Sequence, residues 1–265
     1  MVDVSARIAA LEGNRPQLSA ELARFLDLVW SNRARIALSG PGTGGKLYGL
    51  YARRPNAQLP ATAAQVLPFL KRLAPLCQQP IAQPYGIQGF DLGIEISDCI
   101  ECIEDAESEG NMDDEGIQGL LWDLGYTFYH LPITSNSPAG ARIYLNVTVA
   151  FSVDVMTFVL DLVARFPDAL KAKLAGPCNV RADRIVIWVT SLERIDAILA
   201  ALAEYQQMHR AFFMDGIPRL CKQVMLAGRG ELRGVGIASE PARQDGCSIS
   251  YGKSRTIAIY TVGKS

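Results

Sequence analysis

No stretch of the chain reaches the run of about 18 apolar residues that a membrane-spanning helix needs. Residues 1–14 hold no basic segment followed by an apolar one, so no secretory signal peptide is expected. A type III secretion leader has no such signature and stays compatible with this start. The expectation is a cytoplasmic chain with no membrane partner. Histidine is scarce: His130 and His209 are the two in 265 residues. Only one close cysteine pair occurs, Cys99 with Cys102, while a structural zinc site needs about four clustered Cys or His ligands. Neither a metal nor a cofactor is therefore expected, and on a helix the two cysteines would both face the core. The six cysteines, Cys77, Cys99, Cys102, Cys178, Cys221 and Cys247, are scattered, and without a secretory signal they read as reduced and structural. No Ser-His-Asp pattern or nucleophile elbow appears. The net charge of -1 offers no basic excess for nucleic acid.

What is present is an ordinary globular composition, 49% apolar and 20% charged, in a chain long enough for one large domain or two small ones. Apolar spacing predicts helices over residues 4–33, broken near Pro16, and over 60–76, punctuated by Pro60, Pro68 and Pro75. Residues 91–123 carry twelve carboxylates and no Lys or Arg. Their first part reads as strand or helix, and residues 111–123 as a helix start or a loop. A basic partner would suit this segment. Thr134 to Pro138 is a loop and the best boundary. The C-terminal half is clearer, with strands at 142–149, 170–174, 184–190, 234–238, 248–251 and 256–262. Helices at 153–166 and 195–208 lie between them. The reading is α+β: a mainly helical region over 1–135, then a mostly antiparallel sheet with helices packed on it over 139–265.

Two motifs weigh little. Gly40, Gly45 and Lys46 approach a phosphate-binding loop, but Leu47 stands where the Mg²⁺-binding hydroxyl belongs, so a solvent loop is the simpler reading. His130, in an aromatic apolar stretch, reads as a satisfied packing residue. His209 ends a helix, where a cation suits the dipole.

The cations on strands weigh more. Arg142 and Tyr144 share one strand face, and so do Lys171 and Lys173, because strand residues two apart point the same way. Arg181 and Arg184 open the long apolar strand. Lys253 and Arg255 follow Gly252 in a turn between late strands. If these elements share a sheet, four to six cations and a tyrosine converge, as a dianionic phosphate requires. Cations placed on surface strands for solubility are the alternative.

Five short segments appear in order: Ala141 to Val147, Lys173 to Pro177, Arg181 to Trp188, Gly234 to Pro241 and Ser248 to Arg255. The set resembles the HopA-type effector family, as does Leu47-Tyr-x-x-Tyr51 nearer the start. That family resembles the bacterial phosphothreonine lyases in fold. It also supplies the lyase component of lanthipeptide and thioamitide-type peptide maturation, where a partner kinase phosphorylates the precursor. The resemblance implies a phospho-Ser/Thr lyase that eliminates phosphate from a phosphorylated peptide or protein, leaving a dehydroamino acid. It implies Lys173 as base, with Arg142, Arg181, Lys253 and Arg255 gripping phosphate and Tyr144 donating a proton or hydrogen bond. Asp183 would orient a cation, and Glu240 would bind a basic peptide residue or cap a turn. The phosphothreonine lyases carry lysine and histidine where this chain has Arg142 and Tyr144. The chain is therefore a lyase with its base moved, or a catalytically silent phosphopeptide-binding effector or scaffold subunit.

Overall fold

The structure is a computed structural model that describes residues 61–77, 96–131, 139–218 and 221–240, with Asp27, Val29 and Ser31 of a preceding helix. The rest of the 4–33 helix, the glycine loop at 40–46, the 134–138 boundary and the strands expected at 248–251 and 256–262 lie outside the described residues.

Three helices come first: α1 (Ala63–Cys77), α2 (Ile96–Glu109) and α3 (Glu115–Tyr126). Pro68 and Pro75 fall inside α1 and do not end it. Both are exposed, so water can satisfy the carbonyls that proline leaves without an N–H donor. Val66, Leu70 and Leu73 recur at helical spacing and are fully buried. The acidic 96–109 stretch is helical, and α3 starts at Asp114, whose carboxylate accepts from the N–H groups of Gly116 and Ile117 at 2.8 and 3.2 Å. Cys99 is buried in α2 but Cys102 is exposed, so only one cysteine of the pair faces the core. Positions three apart are separated by about 300° around a helix, enough to leave the core at the edge of a narrow apolar stripe.

The chain continues as β1 (Phe128–Leu131), β2 (Ala141–Leu145), α4 (Ser152–Arg165), β3 (Ala169–Ala175), β4 (Ile185–Val189), α5 (Asp196–Met208), β5 (Lys222–Leu226) and β6 (Gly230–Ser239). The six strands form one sheet in the order β1-β3-β4-β2-β6-β5, and every neighbouring pair is antiparallel. The α+β reading and its antiparallel sheet are thus observed. Sequence analysis did not pick out β1 and β5, and it shortened β6.

One face of the sheet meets the helices. Ile143, Leu145, Leu174, Ile185, Ile187 and Val189 join Val155, Met156, Val159 and Leu162 of α4 in a single buried core, which also takes Leu70, Leu73, Leu121 and Leu124 from the N-terminal helices. Each such side chain contributes roughly 1.5–3 kcal/mol through burial. The Gly176-Pro177 turn after β3 has a steric reason. A Cβ at Gly176 would lie 2.6 Å from the carbonyl oxygens of Leu124 and Gly125, so only glycine lets β3 end against α3.

Candidate anion site

The opposite sheet face carries the cations. Register sets it out in two lateral rows. His130, Lys173, Val186, Tyr144 and Gly236 lie abreast on β1, β3, β4, β2 and β6; Lys171, Trp188, Arg142 and Ala238 lie abreast in the next row. Directly opposed residues of antiparallel strands point to the same side, so Arg142, Tyr144, Lys171 and Lys173 share this face. Trp188 sits at its centre. The Arg142 guanidinium lies 4.8 Å from the indole, the Lys171 ammonium 5.2 Å and the Lys173 ammonium 5.8 Å. The His130 ring is 5.9 Å away. An indole face attracts each neighbouring cation by about 0.5–2 kcal/mol, and so holds like charges together that would otherwise repel.

Phe128 supports the second flank, with the Lys173 ammonium 3.7 Å and the Arg181 guanidinium 5.0 Å from its ring. Arg181 and Asp183, both buried, form a two-pronged pair at 2.7 and 2.9 Å. Asp183 therefore orients a cation. The Glu240 carboxylate takes both Nε and Nη2 of Arg142. A buried guanidinium needs such a fixed acceptor, and this one lies within the chain itself. Arg184 also departs from the cluster reading. Buried, it donates to the carbonyls of Val147, Gly176 and Asn179 and clamps the β3–β4 connection. Lys253 and Arg255 lie outside the described residues.

The electrostatics follow from this crowding. Burial, with the positive charges of Arg181 and Arg142, brings Lys173 down to about 7 against the opposing pull of Asp183. Near neutral pH a substantial fraction of its amine is uncharged. His130 falls to about 4, first through burial and then through Lys173, Lys171 and Arg142, so its imidazole is neutral. Burial holds the Tyr144 phenol well above its usual range, so it stays a proton donor. His130 is not the satisfied packing residue expected: its Nε2 is buried with no hydrogen-bond partner among the described residues. Lys173, Lys171 and Arg142 are the charges nearest to it, yet none of them donates to Nε2.

Sequence analysis missed His130, Trp188 and Phe128 as parts of this face. The sequence Phe-Tyr-His-Leu holds no polar alternation to announce them; only in the folded strand are Phe128 and His130 half-buried while Tyr129 and Leu131 are buried. Elsewhere, an open groove between α2 and α3 is lined by Asp98, Glu101, Asp105, Glu109, Asp113 and Asp114. Among the described residues no group of His, Cys, Asp and Glu is arranged to hold a metal, and no helix is long and apolar enough to cross a membrane.

No family model matches the chain, and no curated protein matches it significantly. Solved structures do. An effector protein from Pseudomonas syringae pv. syringae strain 61 matches with a TM-score of 0.56 at 15% identity, over 92% of this chain and 87% of that one. The effector protein from Pseudomonas syringae pv. tomato strain DC3000 gives 0.55 at 13%, over 93% and 89%. The chain thus has the fold of these effectors. The Salmonella plasmid virulence C protein gives 0.27 at 11%, over 78% of this chain and 100% of that one, a value too low to support a fold assignment.

Proposed function

We propose that this protein is a phospho-Ser/Thr lyase acting on a phosphorylated peptide or protein. The observation that carries the reading is a half-buried lysine, Lys173, with its pKa brought to about 7 on a sheet face it shares with Lys171 and Arg142. An elimination needs a base that is neutral at working pH and cations that hold a dianion as it leaves. The Lys173 amine takes the Cα proton and becomes ammonium. The electron pair of that C–H bond forms the Cα–Cβ double bond. The Cβ–O pair departs with the phosphate, whose charge Lys171, Arg142 and Arg181 offset. Tyr144, still protonated, hydrogen-bonds the leaving oxygen. Lys253 and Arg255 complete the phosphate grip in this reading, and Asp183 keeps Arg181 in place. The partner is a phosphorylated chain, supplied by a kinase-like protein.

One observation favours a second reading. Arg142 and Arg181 are already held by Glu240 and Asp183, as in a site that binds a phosphorylated partner without turnover. The effector fold suits a silent phosphopeptide-binding effector or scaffold of that kind. The two separate on incubation of the protein with a phosphothreonine peptide, without metal or nucleotide. The lyase releases phosphate and leaves an unsaturated residue that adds a thiol. Saturable binding with unchanged peptide mass supports the second reading and refutes the first.

A further inference from the structure

The least satisfied polar atom of the anion face is Nε2 of His130, buried and without a partner among the described residues. A buried polar group left unbonded costs stability, and each such atom needs an explanation. His130 lies directly opposite Lys173 in the β1–β3 register and beside Trp188, so its imidazole opens onto the space that Lys171, Lys173 and Arg142 surround. We propose that His130 is the proton-accepting ligand of this site: when a tetrahedral dianion enters, the imidazole takes up a proton and hydrogen-bonds an anion oxygen.

The inference rests on the anion site of the proposed lyase but not on its elimination chemistry. The charged groups around the ring account for both states. From β3 come Lys173 and Lys171, and from β2 Arg142, with the Tyr144 phenol in the same row as His130; β4 contributes only Val186 and Trp188. Arg181 is paired with Asp183, before β4, and Arg142 with Glu240, just after β6; of these charges Arg142 is the one that acts on the imidazole, with Lys173 and Lys171. Without an anion, burial and then the three cations hold the imidazole at about 4, neutral at neutral pH. One negative charge at about 4 Å, at an effective dielectric near 20, moves a neighbouring group by about three pKa units. A dianion carries twice that charge, enough to lift His130 past neutrality. The proton completes the charge balance of the bound phosphate and provides an N–H where the empty site has an orphan atom.

The chain has two histidines, so imidazole nitrogen NMR resolves His130 from His209 once His209→Gln assigns them. Inorganic phosphate is titrated into the full-length protein at neutral pH. The expected result is a His130 signal that moves from neutral imidazole to imidazolium as phosphate saturates, while His209 stays in place. His130→Gln, which keeps a hydrogen-bonding group but accepts no proton, is expected to weaken phosphate binding about tenfold, the equivalent of one proton-assisted bond. Phosphate binding that leaves His130 neutral overturns the proposal and leaves the lyase reading standing. A chain that takes no phosphate overturns both. A His130 that protonates on phosphate binding, in a protein that never eliminates, supports this proposal and refutes the lyase.

Discussion

The carboxylate of Glu240, at the end of β6, grips the guanidinium of Arg142 in the middle of the sheet, across 98 positions of sequence. In the proposed site this carboxylate competes with a phosphoryl group for the same guanidinium. An incoming anion must either share that cation or displace the carboxylate. Glu240→Gln removes the competing charge, and phosphate affinity is expected to rise about tenfold. The same change leaves a buried Arg short of its counter-charge, costing roughly 1–3 kcal/mol in the free protein. Thermal melting with and without phosphate checks both effects. Phosphate affinity that falls or stays unchanged would show that Glu240 does not compete for the site.

Lys173 sets a pH signature. Its native value of about 7 lies far below the usual lysine range, so the neutral base form fills in as pH rises through 7. Elimination rate at low substrate is expected to climb through that pH and then level off. Lys173→Arg keeps the charge, removes the base, and is expected to cost at least about a hundredfold. A rate flat between pH 6 and 8, or a fully active Lys173→Arg, contradicts the assignment.

His130 links acid stability to the same face. The native imidazole, near 4, binds fewer protons than the unfolded one near 6.5. Unfolding between those values takes up a proton, so stability falls as pH drops from 6.5 to 4. The full effect is about 3 kcal/mol, at 1.36 kcal/mol per unit. Urea unfolding of His130→Phe is expected to lose most of that slope while Trp188 stays packed. An unchanged slope would place the acid sensitivity elsewhere.

Arg184 stands one residue before β4, the strand of Trp188, and has a structural task. Its donors reach the carbonyls of Val147, Gly176 and Asn179 in the interior. Arg184→Met strands three buried acceptors and is expected to cost about 3 kcal/mol or more. Measured by denaturant midpoint, the loss should exceed that of Lys171→Met, whose side chain is only half-buried.

The C-terminal sheet was legible because its strands alternate and its helices keep a clean apolar stripe: Arg142 and Tyr144, or Lys171 and Lys173, declare a face through their spacing alone. Which faces coincide is set by pairing between distant strands, and no local pattern states that β4 lies between β2 and β3. The pairing of Glu240 with Arg142 was hidden for the same reason. His130 reads as packing in sequence because an aromatic, apolar neighbourhood suits a packed ring and an unbonded buried nitrogen equally well. Arg184 and Arg181 look alike in sequence, yet one meets three carbonyls and the other a carboxylate.

The central claim is that this face breaks a carbon–oxygen bond. Running the phosphothreonine peptide reaction in heavy-oxygen water tests it most directly. Elimination leaves the bridging oxygen on phosphate, so the account predicts unlabelled phosphate together with an unsaturated residue. Phosphate carrying one solvent oxygen, with the threonine hydroxyl restored, would mean cleavage at phosphorus and would contradict it.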